Sequence, residues 1–384
     1  MKNELKPSVL LLLFLIGFPQ ISETIYSPSL PAIAAFLGTS NAMVQWTLSV
    51  YFIGFAVGVL CWGYVSDHIG RRPTMLLGIL IYTLGSLGCL FSTSIEWLMS
   101  MRLLQAFGAS VGSIITMTMI RECYDGHERV RLFAVISMAL SSTSALGPLM
   151  GGYLSHYLGW HSNFVFLCIM GLALIIYCYL QLPETYCKTQ KSPVPFMRIV
   201  IRIITDRHVL ACAWIIGAIN GVIFSFWQEA PFVFTNNMAI NTSKYGYVGI
   251  AIGVASYFGA WTYKRLLTRC TPLSLFRGGL VCSLVSAVLM LLPALFGFIN
   301  QHPLMSSLML MTPMMLLVFS LVGFILPHVL SHAMDHYQDY LGRASAIFGF
   351  SYYVGVSAFT WMMGYLHNGT SWIMPLYFLG LVLS

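Results

Sequence analysis

Three ionisable residues interrupt long apolar stretches: Glu23, Arg102 and Glu229. An ionised group in hydrocarbon costs at least about 3 kcal/mol, so each is expected to face an internal cavity or another charge. Desolvation drives a carboxylate there to hold a proton, and a nearby cation drives it to give the proton up. That balance is what a reversible proton carrier needs. Counting along the helical rise places Glu23 about 22 Å from a helix start at residue 8. Arg102 falls roughly 7–8 Å below Trp97, an aromatic suited to a membrane interface. In a hydrocarbon core of about 30 Å the two reach nearly the same depth. The count therefore assigns Glu23 and Arg102 to proton coupling, against the competing account of a static pair that fixes helix packing. Glu229 lies about 10 Å below the outer surface, the side also given to Trp97, near Pro231; a coupling role and a plain interfacial carboxylate both stay open. Asn220, Phe224 and Gln228 share one helical face at steps of four and form a polar-aromatic wall. With Gln20, Thr24, Tyr26 and Gln105 they are assigned to the substrate cavity.

Three further patterns could carry mechanism. In Gly63-Tyr-Val-Ser-Asp67-His-Ile-Gly70-Arg71-Arg72, glycines permit close backbone approach, and an acid and two arginines follow in a short loop between apolar segments. This reads as a polar latch at a membrane surface. In Gly147-Pro148-Leu-Met-Gly151-Gly152, proline removes a backbone donor and the glycines admit a neighbouring helix, which makes a hinge or a tight seam. His328, His332 and His336 repeat at i, i+4, i+8 and could bind a transition metal on one helix face, but no fourth ligand is in view. No metal site and no cofactor are assigned.

The elements that must position these residues follow from composition. Of 384 residues, 58% are hydrophobic and 8% charged, against about 25% charged in a soluble domain. The chain is a polytopic, all-α membrane protein. Its net charge of +7 does not point to nucleic acid, because the basic residues lie between apolar spans and not on one solvated face. Nine cysteines without a C-x-x-C pair argue neither for a disulfide framework nor for zinc. Lys2 and Lys6 before Val9–Ile16 imitate a signal peptide, but the apolar pattern runs on past Pro31 and reads as a first span. Twelve spans are expected, near 8–36, 42–65, 74–93, 97–120, 132–155, 163–182, 208–235, 244–263, 273–297, 303–330, 343–366 and 371–384. The last is short, as for a truncated chain or an incomplete final helix. With both termini inside, 17 of the 19 Lys and Arg fall in cytoplasmic segments, leaving Lys244 outside and Arg102 within a span. Localisation in a cell membrane follows, the inner membrane if the source is bacterial. The longest connection separates a six-helix unit at 1–186 from another at 208–384. The linker 187–207 includes Phe196–Arg207, which could lie as a helix on the membrane surface. Arg131–Leu154 and Arg343–Leu366 have equal length and both end Gly-Tyr-Leu, as expected of a duplicated unit.

Gly63–Arg72 resembles the loop signature between the second and third helices of the major facilitator superfamily. Arg102-Leu-Leu-Gln105-Ala-Phe-Gly108 is similar to its fourth-helix motif, and Ala145–Gly152 to its antiporter-type fifth-helix motif. Tyr26-Ser-Pro28-Ser-Leu-Pro31 and Ala230–Phe234 further resemble the bicyclomycin-resistance-like branch of drug/proton antiporters. The resemblance implies two pseudo-symmetric six-helix bundles that rock about a central cavity. It also implies a cytoplasmic gate at Gly63, Asp67, Gly70, Arg71 and Arg72, and help from Arg102 in proton movement. That branch carries its first-helix acid where this chain has Thr24, and Glu23 comes one residue early, about 100° around the helix. Either Glu23 substitutes through local distortion or the coupling is rearranged. In the second half, Gly259–Arg269 keeps basic charge but no acid. The leading function is proton-coupled export of small amphipathic compounds, acting as a monomer on small molecules and protons within the bilayer. The alternative is a transporter specific for one metabolite, as exporter or symporter. No nucleophile elbow, H-E-x-x-H or phosphate loop points to an enzyme.

Overall fold

The computed structural model describes residues 6–124, 126–186, 196–238, 240–298, 303–334, 337 and 341–384, and every regular element among them is helical. Boundaries follow from capping chemistry. Ser8, Ser40 and Ser94 accept from the third amide on and open α1 (Val9–Thr24), α3 (Asn41–Ile69) and α5 (Ile95–Cys123). Asp206 caps α9 (Arg207–Phe232), and Thr271 with Pro272 opens α12 (Pro272–Leu295). Between them lie α2 (Leu30–Leu37), α4 (Arg71–Leu90), α6 (Gly126–Leu158), α7 (His161–Gln181), α8 (Phe196–Thr205), α10 (Thr242–Tyr245) and α11 (Tyr247–Leu266). The chain ends with α13 (Pro303–Ser320), α14 (Leu326–His332), α15 (Leu341–Leu366) and α16 (Ile373–Leu383).

These elements stack into twelve helical columns, and among the described residues nine spans are long and apolar enough to cross a membrane by length and composition. Two expectations need correction. The first span is not one helix: α1 stops at Thr24, a tight 3₁₀ turn covers Ser27–Ser29, and the column resumes as α2. Pro28 and Pro31 remove two amide donors within one turn, which favours the break there. The signature Gly63–Arg72 is also not a loop. Helices α3 and α4 meet at Gly70 alone, so Asp67 belongs to the last turn of one and Arg71 to the first turn of the next. Gly70 has φ 99°, a conformation that favours glycine, and a Cβ would collide with the Glu184 carboxylate.

Helices α1–α7 form one bundle and α9–α16 the other, with α3 against α15 and α6 against α11 as the main seams between them. The short α8 rests on α9 and α15. It buries Ile199 and Ile203 and leaves Arg198, Ile201, Arg202 and Ile204 exposed, an amphipathic arrangement suited to an interface. Each bundle presents a belt of exposed apolar side chains, such as Leu84, Ile169, Ile176, Val281 and Leu289, where lipid would replace water.

Candidate functional site

The break after α1 sets the geometry of the central charges. It turns Tyr26 inward, where its hydroxyl meets Thr47 Oγ1 at 3.1 Å. It also brings Ser27 to donate to the carbonyl of Trp227 in the other bundle. Arg102, on α5, is fully buried and lies between two rings, 4.1 Å from the Tyr26 centroid and 4.2 Å from that of Tyr51. A desolvated cation on an aromatic face gains on the order of 2 kcal/mol. Two such faces offset part of the cost of burying the charge. Its Nη1 donates to Gln105 Oε1 at 2.5 Å and to the Ser22 carbonyl at 3.4 Å, and Gln105 in turn donates to Ser86 at 2.7 Å.

Glu23 is buried beside this cation and within its field, yet no ion pair joins the two carboxylate oxygens to the guanidinium. The charge of Glu23 is felt in turn by Tyr51 of α3 and by Tyr352 and Tyr353 of α15. Glu23 therefore sits where the bundles face each other. Thr24 points elsewhere: its hydroxyl donates to Gln20 O at 3.0 Å and packs on Gly147 of α6, where any side chain would overlap it. Position 24 is thus enclosed in a helix seam, and position 23 carries the acid toward the cation. Around this centre runs an aromatic band that crosses the seam, with Phe52 on Phe224 at 4.5 Å and Phe55 on Tyr353 at 4.6 Å. Tyr51, Tyr352 and Tyr353 escape a reading of the sequence, because aromatic residues are everywhere in this chain and only the packing of α3 on α15 selects them.

The remaining polar residues are largely engaged. Asn220 is half-buried and donates to Ile216 O at 2.9 Å. Gln228 is fully buried and donates to Thr360 O at 3.0 Å between α9 and α15. Glu229 lies further toward the end of the bundle opposite the termini, bonded to Gln45 and His367.

At the end that bears the termini, Arg71 makes a fan of charge-assisted bonds. Nη1 reaches Ser66 Oγ and Asp67 Oδ1, each at 2.7 Å, while Nη2 and Nε take both oxygens of Glu122 at 2.7 and 3.3 Å. Bidentate pairing of this kind is geometrically specific and stronger than a neutral bond. Glu184 accepts from the amides of Arg71 and Arg72 at 2.9 and 3.2 Å, an anion at the N-terminus of α4. Arg72 donates to the Tyr179 carbonyl at 2.7 Å. All these ion pairs lie within one bundle. Gly63 faces the other bundle, where a Cβ built on it would lie 4.0 Å from Ala346 Cβ of α15. Glu122 and Glu184 could not be assigned from spacing, since each is more than 50 residues from Arg71 in the chain.

In α6, Gly147 and Gly151 press on Thr24 and the Ile25 carbonyl, while Pro148 and Gly152 meet Gly246 and Gly249 of the second bundle. The cluster is a seam on two sides at once. Of the histidine stripe, the His328 and His332 rings lie 4.6 Å apart at a 45° tilt, and His328 lies 4.8 Å from the Phe276 ring. His336 lies outside the described residues, and no metal-binding group of three or more ligands occurs among the described ones.

Two six-helix bundles with charged groups buried along their seam define a polytopic membrane transporter. A profile of the Major Facilitator Superfamily matches residues 12–360, and the chain belongs to that superfamily. It is 36% identical to a transporter of Rickettsia bellii, described as uncharacterized, over 97% of this chain and 93% of that one. It is 26% identical to multidrug resistance protein D of Escherichia coli over 89% of this chain and 84% of that one. It also resembles a bicyclomycin resistance protein homolog of Haemophilus influenzae, at 23% identity over 75% and 76% of the two chains. A crystal structure of a D-xylose-proton symporter superposes with a TM-score of 0.76 over 98% of this chain and 95% of that one, at 15% identity, a likeness of fold.

Proposed function

We propose that the protein exports small amphipathic compounds in exchange for protons, by alternating access between the two bundles. The carrying observation is the buried Arg102 held between Tyr26 and Tyr51 with the Glu23 carboxyl beside it and unpaired. A carboxylate locked into a bidentate ion pair would hold its charge; one that only feels the cation's field can alternate between charged and neutral forms. Glu23 is the carrier in this reading, and Arg102 the group that returns it to the ionised state. The acid reaches the seam from position 23 because position 24 is enclosed against Gly147.

The substrate class rests on what the seam offers. Gln105, Gln228 and Glu229 are already committed to protein partners. The groups left to meet a substrate near Glu23 are largely rings, from Tyr51, Phe52, Phe55, Phe224, Tyr352 and Tyr353. Apolar and aromatic contacts tolerate varied shapes, whereas selection of one metabolite needs directed polar contacts. Relatives named for multidrug, chloramphenicol and bicyclomycin resistance support the same choice.

In the membrane the terminal end faces the cytoplasm. The arginines at 71, 72, 198, 202, 207, 265 and 269 gather at helix ends on that side, and Lys244 lies at the other. The bundles are 1–186 and 208–384, joined by the linker 187–207 that carries α8, and one chain suffices for transport. Asp67, Arg71 and Arg72, with Glu122, brace the first bundle at its cytoplasmic gate, next to the Gly63–Ala346 contact. The deciding experiment uses purified protein in liposomes with an internal pH dye and an imposed proton gradient. Several unrelated amphipathic drugs are expected to drive proton flux in the parent, and Glu23→Gln to abolish it. A response to a single polar metabolite would establish the metabolite-specific alternative, and undiminished flux in Glu23→Gln would remove Glu23 as carrier.

A further inference from the structure

Glu229, the second buried acid, belongs to a different cluster at the end of the bundles opposite the termini. It is 2% exposed. Its oxygens lie 2.8 and 2.9 Å from Nδ1 of His367, which directly follows α15, and Oε2 accepts from Gln45 Nε2 at 2.6 Å. His367 Nδ1 is also 3.2 Å from Gln45 Nε2, and its Nε2 is 3.4 Å from Asn41 Nδ2. Glu229 and His367 belong to the second bundle, and Asn41 and Gln45 to α3 of the first. One carboxylate therefore holds a junction between the two bundles. The elements around it contribute neutral groups: Phe232 lies 5.4 Å from the His367 ring, Gln228 is bonded to Thr360, and Trp46 stacks on Trp361 at 6.0 Å. No Lys or Arg bonds to any of the four residues among the described ones. Among the described residues, the acid and the imidazole are the titratable groups in direct contact.

We propose that Glu229 and His367 form a proton-binding site that latches the bundles at this end, released when the pair takes up its second proton. The donor count gives the sign. With a neutral imidazole, Nδ1–H and Gln45 both donate to the carboxylate while Nε2 accepts from Asn41. With one proton added, imidazolium faces carboxylate and the attraction rises. With two, a carboxylic acid faces an imidazolium, the counter-charge is gone, and a buried cation is left uncompensated. The latch therefore holds at neutral pH and fails on the acid side. The proposal rests on the exchanger reading for its purpose, as the step that lets protons open the outer face, but its geometry is independent of Glu23.

The test places spin labels at Thr39 and Asn368, on opposite sides of the junction, in the full chain with its native cysteines replaced. Distances are measured in lipid nanodiscs at about pH 7.5 and about pH 4, a window that spans the ordinary imidazole and glutamate values of about 6.5 and about 4.3. The parent is expected to shift from a short to a long distance population on acidification. His367→Gln cannot acquire the second charge and should stay short at both values. Glu229→Gln has no carboxylate to balance the imidazolium, so a single proton suffices for release and the long population should appear at a higher pH than in the parent. Glu23→Gln should shift like the parent while failing the proton-flux assay. Distances in the parent that ignore pH, an acid shift that persists in His367→Gln, or loss of the shift in Glu23→Gln would each overturn the latch. Normal proton flux in Glu23→Gln with an intact shift would remove the Glu23 carrier and leave the latch standing.

Discussion

At Arg102 a single side chain combines three separate supports: a neutral acceptor in Gln105, a backbone carbonyl at Ser22 and two aromatic faces. The planar fork of arginine serves all three, and a lysine ammonium would satisfy at most one or two. Arg102→Lys is therefore expected to keep the charge yet lose proton-coupled flux by more than about tenfold, with a melting temperature close to the parent's. Arg102→Ala removes the cation and leaves Glu23 buried without its field. It should lower flux at least as far and also favour the protonated acid. Flux measured against pH in the two variants separates these effects. In Arg102→Lys the profile should keep its acid limb, and in Arg102→Ala that limb should move to higher pH.

The element scale is governed by places where two helices approach too closely for side chains. Gly151 faces the Ile25 carbonyl just where α1 breaks, so even Gly151→Ala must push α1 or α6 aside. Overpacking of this kind typically costs about 1–3 kcal/mol. Gly151→Val should lower the melting temperature and transport together, whereas Gly278→Ala, which meets no neighbour, should leave both unchanged. At the α3–α4 junction, Arg71 couples three helices through Asp67 and Glu122. A double-mutant cycle on Arg71→Ala and Glu122→Ala is expected to show a coupling energy of about 0.5–3 kcal/mol. A coupling near zero would mean that the pair is an exposed contact with no bracing role. Among the described residues the second bundle shows no such brace: Arg265 lies over Trp261 at 4.3 Å.

For the whole molecule, the pairing of α3 with α15 runs from Gly63–Ala346 at one end to Trp46–Trp361 at the other. About one helical turn in from the Trp46–Trp361 end, Ser357 donates to the Ser49 carbonyl at 2.8 Å. Rocking of one bundle against the other must separate parts of this seam. A disulfide between Ser49→Cys and Ser357→Cys should therefore stop transport under oxidising conditions, and reduction should restore it. Transport that continues through the oxidised pair would rule out rocking about this seam.

Much of this organisation was legible in the chain. Twelve apolar stretches, the bias of Lys and Arg, and the repeat of Arg131–Leu154 in Arg343–Leu366 specify a two-bundle helical membrane protein, because a spanning backbone must be satisfied internally and uninterrupted apolar stretches of about 20 residues can do so only as helices. Gly63–Arg72 and Gly147–Gly152 were visible for the same reason: glycine, proline and charge are conspicuous against an apolar background. Residues whose meaning depends on a distant partner were not. Glu122 and Glu184 acquire a role only when α5 and the end of α7 meet Arg71, and His367 only when α15 ends beside Glu229. Local composition determined which segments enter the membrane and the helices they form. Tertiary packing alone decided which buried charge meets a ring, a carboxylate or a proton-binding neighbour, since such pairings join residues far apart in the chain through the contact of whole helices.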